Sequence, residues 1–217
     1  MLFFGRKKRP FGESARYLAD GGFTEEYIEK LRGELTEVTK PADIAMGRNY
    51  LINALIITGA LTEAYDIFLQ LERDDMLKKL DKALQPNLLH NVIFSLFARD
   101  KFKEAERLYK EYNAIVLREH SDTMKRTLAI HECICGRYEN AVTVLAKLLD
   151  SSCRFLDFCL VKTALKLDMF ERAAELAGNF DSYRGELGDE AKKLKTKIFQ
   201  GLSPKKKTAA IKNKRRK

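Results

Sequence analysis

Gly59-Ala-Leu-Thr-Glu-Ala64, Asp100-Lys-Phe-Lys-Glu-Ala105, Gly136-Arg-Tyr-Glu-Asn-Ala141 and Asp168-Met-Phe-Glu-Arg-Ala173 are four copies of one six-residue pattern. Each opens on a turn-prone Gly or Asp. A large apolar residue follows two positions later (Leu61, Phe102, Tyr138, Phe170), and an alanine three further on (Ala64, Ala105, Ala141, Ala173). A helical hairpin accounts for all three choices. The turn needs a residue that tolerates an unusual backbone or bonds to it, the large side chain wedges between paired helices, and alanine lets two backbones approach.

Working outward from Gly59, the segment Ala42 to Thr58 becomes almost wholly apolar (Leu51, Ile52, Ala54, Leu55, Ile56, Ile57), as a helix covered on several sides requires. Downstream, Leu61, Ala64, Tyr65, Phe68 and Leu69 recur at offsets of three and four, the amphipathic-helix template. The same reading pairs 87–99 with 102–117 and places a third hairpin from Ser121 through a helix beginning at Tyr138. A fourth starts at Ser151-Ser152 and ends at Gly178-Asn179. Thr39 reads as an N-cap, with Pro41 in the first turn and Asp43 near the positive helix end, and Ser121 as a second N-cap. A weaker helix from Glu13 to Ala19, broken at Gly21-Gly22 and resumed from Phe23 to Glu37, reads as a worn further hairpin. Residues 186–200, with Leu187, Ala191, Leu194 and Ile198 on one face, read as a terminal cap.

The net charge of +9 is unevenly spread. Arg6, Lys7, Lys8 and Arg9 form one basic cluster; Lys205, Lys206, Lys207, Lys212, Lys214, Arg215, Arg216 and Lys217 form another, with no acidic residue among them. Without these ends the chain holds 28 basic against 31 acidic residues, so a slightly acidic body carries two basic handles. The expected organisation is a basic arm over 1–11, a helical-repeat domain over 12–201 and a disordered basic tail over 202–217. No apolar run is long enough to cross a membrane, and Met1-Leu-Phe-Phe4 is too short for a signal-peptide core. Cys133, Cys135, Cys153 and Cys159 lie in apolar helical segments, which fits reduced thiols. These features point to a cytoplasmic protein, or a nuclear one in a eukaryote.

The opening alanine of each second helix, the aromatic or Leu three residues before it, the Glu before Ala64 and Ala105, and Phe68 and Tyr109 four residues after those alanines resemble the tetratricopeptide repeat. The resemblance covers about Ala42 to Phe180. It implies an all-α, right-handed α-α superhelix, a solenoid of four to five hairpins plus a C-terminal capping helix. The intervals between the four alanines are 41, 36 and 32 residues, where that family keeps about 34. Leu51 to Ala64 also resembles a pentatricopeptide repeat, an array that reads single-stranded RNA. Tyr50, Asn91, Thr127 and Cys159 match the base-reading position of that family, and only Asn91 and Thr127 are usual residue types there. Ile56-Ile57, Phe97-Ala98 and Cys133-Ile134 put apolar residues where phosphate neutralisation would be needed.

Candidate residues of a concave peptide-binding groove are Asn53, Asn91, Phe94, Phe97, Ile130 and Ile134, each on a first helix one step past its packed stripe. The alternative packs the same side chains against the next hairpin or the last helix, and helical period alone does not separate the two. Asn53 and Asn91 coincide with asparagines of the tetratricopeptide carboxylate clamp, whereas Asn49, Thr123 and Thr127 stand in place of its basic partners. His131-Glu132-Cys133-Ile134-Cys135 is similar to the zinc-protease His-Glu-x-x-His pattern with Cys as its fifth residue, and Cys153 and Cys159 lack zinc-finger spacing. Pro204-Lys-Lys-Lys-Thr208 lacks the glycines of a phosphate loop. The sequence therefore predicts no enzyme, no metal site, no cofactor and no small-molecule substrate.

The expected function is a non-catalytic interaction scaffold that binds a protein or peptide in its concave face while its basic ends contact a polyanion. One alternative is an RNA-, DNA- or ribosome-associated protein working through its basic tail. Another is a peripheral membrane adaptor, with Leu2-Phe3-Phe4 as a wedge beside Arg6 to Arg9.

Overall fold

The computed structural model describes residues 10–116, 121–147 and 154–203. These residues form an all-α fold with no strand. The helices are α1 (Gly12–Gly21), α2 (Glu25–Glu37), α3 (Pro41–Thr58), α4 (Leu61–Arg73), α5 (Gln85–Ala98), α6 (Phe102–Glu111), α7 (Asn113–Val116), α8 (Asp122–Ile134), α9 (Tyr138–Leu145), α10 (Arg154–Lys166), α11 (Phe170–Leu176) and α12 (Gly185–Leu202). Short 3-10 turns at Leu77–Lys79 and Ala177–Ser182 complete the path. The basic clusters Arg6 to Arg9 and Lys205 to Lys217, and Cys153, lie outside the described residues.

All four motif turns adopt one geometry. Gly59, Asp100, Gly136 and Asp168 have φ of 90°, 61°, 72° and 56°, the left-handed region. The amide of the next residue reaches back to the carbonyl five positions earlier: Ala60 to Leu55, Lys101 to Leu96, Arg137 to Glu132 and Met169 to Ala164, at 2.7–2.9 Å. With the accompanying bonds from Gly59 to Ile56, Asp100 to Phe97, Gly136 to Cys133 and Asp168 to Leu165, these are Schellman caps that satisfy the last carbonyls of each first helix. Asp75 (φ 53°) closes α4 in the same way, through Met76 to Leu71. Ala64, Ala105, Ala141 and Ala173 have no exposed surface, as close helix approach demands.

The other end signals are mixed. Ser121 caps α8 by accepting from the Met124 amide, and Thr24 caps α2 by accepting from Tyr27. Thr39 is not the cap of α3: extended Lys40 holds that position without a side-chain bond, and Pro41, with no N–H to satisfy, starts the helix. The helix expected to run on to 117 breaks at Tyr112, whose hydroxyl reaches across to Glu72 Oε1 at 2.7 Å.

The hairpins α1/α2, α3/α4, α5/α6, α8/α9 and α10/α11 stack, and side-chain bonds join equivalent places one repeat apart. Asn91 donates to Asn53 (2.8 Å), Arg99 to the Leu61 carbonyl (3.5 Å), Tyr112 to Glu72, and Arg172 to the Tyr138 hydroxyl (3.1 Å), at separations of 34 to 40 residues. The stack also folds in on itself. α5 touches α3 and α8 as a neighbour should, and reaches past the third hairpin to α10. α12 packs on α10 and α11 and brings its N-terminus to the first motif turn. There the Glu186 amide donates to the Gly59 carbonyl (2.9 Å), and the Glu186 carboxylate accepts from the Thr62 amide (2.9 Å) and hydroxyl (2.8 Å).

Candidate functional site

The residues expected to line the groove divide sharply. Phe94, Phe97 and Ile130 have no exposed surface and belong to the core, so they offer nothing to an outside partner; Asn53, Asn91 and Ile134 are half-buried at its margin. The cause is the fourth hairpin and the segment after it. Phe94 of α5 packs on Phe155 and Phe158 of α10 (centroids 4.5 and 6.2 Å apart), and Phe158 in turn on Phe180 and Tyr183 (5.6 and 5.8 Å). Each buried aromatic side chain is worth about 2–3 kcal/mol of transfer free energy. At the margin, Asn91 Nδ2 donates to Asn53 Oδ1, and Asn53 Nδ2 lies 3.5 Å from Asn49 Oδ1, giving a short amide ladder across α3 and α5.

Two polar side chains inside this face escaped the sequence reading. Lys162 on α10 is buried, with its side chain 5% exposed. Its ammonium donates to the Ala98 carbonyl at 2.6 Å and pairs with Asp100 at 3.1 Å. A cation thus meets the negative C-terminal end of α5, with the rings of Phe97, Phe102 and Phe158 about it at 5.8–6.0 Å. The available signal was a lysine inside the apolar run Leu160 to Leu165. His90 on α5 is buried between α5 and α8. Thr127 donates its hydroxyl to the Thr123 carbonyl, so His90 Nδ1 carries the proton and donates to Thr127 Oγ1 at 3.0 Å. Burial, helped by the Arg126 charge, lowers the His90 pKa to about 4.

His131 and Cys135 do share a helix face, with Sγ 3.8 Å from Nε2, but the histidine stacks on Tyr109 (4.0 Å, 13°). Glu132 is held by Arg137 in a two-pronged pair (2.5 and 2.9 Å) and by Asn140 (3.1 Å), which keeps its carboxyl below the usual range. Cys133 points into the core, where burial pushes its thiol up to about 11. Among the described residues, no group of three or more His, Cys, Asp or Glu stands ready to hold a metal.

The C-terminal pole has a different character. Leu187, Ala191, Leu194 and Ile198 of α12 are buried against the repeats. On its outer sides Lys192, Lys193 and Lys195 pair with Asp189, Glu190 and Asp181. Phe199 is 75% exposed and Leu202 44%, on the last turns before the basic tail. At the other end, a cavity of about 640 Å3 lies among α1, α2 and the start of α3, with Glu29, Glu34, Glu37 and Asp43 in its wall. No described helix is long and apolar enough to cross a membrane.

Compared with known proteins, the chain matches no family model, and no curated protein or solved structure matches it at a significant level.

Proposed function

We propose that this chain is a non-catalytic interaction scaffold, a tetratricopeptide-like right-handed superhelix of hairpins drawn in on itself. A protein segment sits along the half-buried rim at Asn53, Asn91 and Ile134, and the basic ends hold the body against a polyanion. The observation that carries the reading is the C-terminal pole: α12 carries exposed Phe199 and four lysines, three of them paired with carboxylates, and leads into a stretch of sequence with eight further basic residues and no acidic one. Attraction of that kind releases counterions and weakens steeply with salt. The rim supplies specificity by another route, since paired amides offer both donors and acceptors to an extended backbone.

The test is affinity purification of the full chain and of a version lacking 204–217, with and without nuclease. A defined protein that survives nuclease, stays with the shortened chain and is lost on Asn91→Lys supports the scaffold. Ribosomal or chromatin proteins that vanish with nuclease assign the function to the tail instead. A second reading, docking on an anionic membrane surface, is favoured by Phe199 and Leu202, whose apolar side chains have no counterpart in a purely electrostatic contact. It predicts that Phe199→Ser with Leu202→Ser abolishes co-sedimentation with phosphatidylserine vesicles while leaving RNA binding unchanged.

A further inference from the structure

Where α10 and α12 lie side by side, the α5–α6 turn closes one end of a cavity of about 240 Å3. Its polar lining is Asp100, Lys162, Lys166, Glu190, Lys193 and Lys197. Lys162 and Lys166 are one helical turn apart on α10, as are Lys193 and Lys197 on α12, so two lysine pairs converge on one space. The carboxylates are taken: Asp100 by Lys162 at 3.1 Å, and Glu190 by Lys193 at 2.6 Å, with Lys162 4.0 Å away. Four ammonium groups against two carboxylates leave two positive charges over.

The two ammonium groups in excess are those of Lys166 and Lys197. Neither has a carboxylate at ion-pair distance among the described residues, and Lys166 Nζ rests 3.4 Å from the centre of the Phe102 ring. Elsewhere on α12 the lysines have acidic neighbours; here like charges are gathered against apolar walls, a mutual repulsion that an anion would relieve. Burial, helped by the Lys162 charge and opposed by that of Asp100, also lowers the Lys166 pKa.

We propose that this pocket binds a phosphoryl dianion, with Lys166 and Lys197 as its direct ligands and Lys162 as the fixed charge at its floor. The excess of two charges matches the dianion. The volume falls below the roughly 300–1,000 Å3 of sites for drug-sized ligands, which suits a phosphoryl group on a short carrier, either a phosphorylated side chain or a small free phosphate ester.

The experiment is an amide-resolved NMR titration of the 15N-labelled full chain at about 150 mM salt, where diffuse attraction is screened. The probes are inorganic phosphate, glycerol phosphate and a phosphoserine peptide. Saturable shifts are expected at the amides of Leu165, Lys166, Lys193 and Lys197. K166Q with K197Q should weaken binding by about tenfold or more, as loss of two charge-assisted bonds implies. K192Q with K195Q, which removes equal charge from the outer side of the same helix, should change it by less than about twofold. Lys166, Lys192 and Lys197 lie at the surface and Lys195 is part-exposed, with 37% of its side chain open, so these variants keep the fold. Tighter binding of the phosphopeptide than of glycerol phosphate identifies a protein side chain as the source, and the reverse a free ester. Shifts confined to the basic tail, or equal weakening by the two double variants, overturn the proposal.

Discussion

At Gly59 and Gly136 the backbone does the same thing. Both residues sit in the left-handed region, and both are followed by an amide that reaches back to cap the preceding helix. Their surroundings differ. A Cβ on Gly136 would meet nothing within 4 Å, whereas one on Gly59 would lie 2.0 Å from the Arg184 carbonyl oxygen. Gly185 returns the constraint, since a Cβ there would come within 2.8 Å of the Gly59 oxygen. One glycine serves its own turn; the other also serves a contact with the far end of the chain.

The sharpest way to break this comparison is to substitute both. Gly59→Ala should cost on the order of 3 kcal/mol, from left-handed strain plus the clash with Arg184, against about 1 kcal/mol for Gly136→Ala. Urea unfolding of both variants checks this, and equal costs would mean that α12 does not dock at Gly59.

Acid should act on the other side of the comparison, at the α5–α8 seam that leads to Gly136. His90 has a folded pKa of about 4 against an ordinary value of 6.5, so the unfolded chain takes up the proton first. Stability is full above about pH 6.5 and falls as pH drops toward 4, by up to about 3 kcal/mol. Melting temperatures followed from pH 7 to 4.5 should show a slope that His90→Gln flattens; an unchanged slope in the variant would exonerate the histidine.

Lys162→Met keeps the volume and removes the charge that caps α5. An expected loss of about 2 kcal/mol follows from the stranded Ala98 carbonyl, moderated because Asp100 is more than half exposed and regains water. Chemical denaturation measures it, and a gain in stability would mean that the aromatic cage prefers an apolar occupant. The smallest effect belongs to Glu186→Gln. It keeps one bond to Thr62 and should cost about 0.5–1 kcal/mol, read from the same unfolding curves.

The hairpins were legible because their signals are local. A Gly or Asp, a large apolar residue and an alanine at fixed offsets specify a left-handed cap, a wedge and a close approach, and each is met within about ten residues. Ser121 and Pro41 carried equally local instructions. Thr39 did not serve as the cap because the chain is extended one residue further, at Lys40, a choice between neighbours that propensity does not resolve. The inner face was less legible for a different reason. A helix such as α5, apolar all round, states that it is covered and does not state by what; Phe94 meets Phe155, 61 positions further along the chain. Lys162 was overlooked because its partners, a carbonyl at the end of α5 and a carboxylate in the turn after it, belong to another hairpin.

The bonds between Thr62 and Glu186 join residues 124 positions apart. In a linear array each hairpin answers only to its neighbours, and the ends can fray while the middle holds. Fastening the last helix to the first motif turn makes a loop of the intervening hairpins, so that none can open without disturbing the fastening. Native-state hydrogen exchange should accordingly find similar opening free energies in α3, α5, α8 and α10, and a graded series once Gly59→Ala has undone the clasp. The closing glycines would then set how many parts the protein behaves as having.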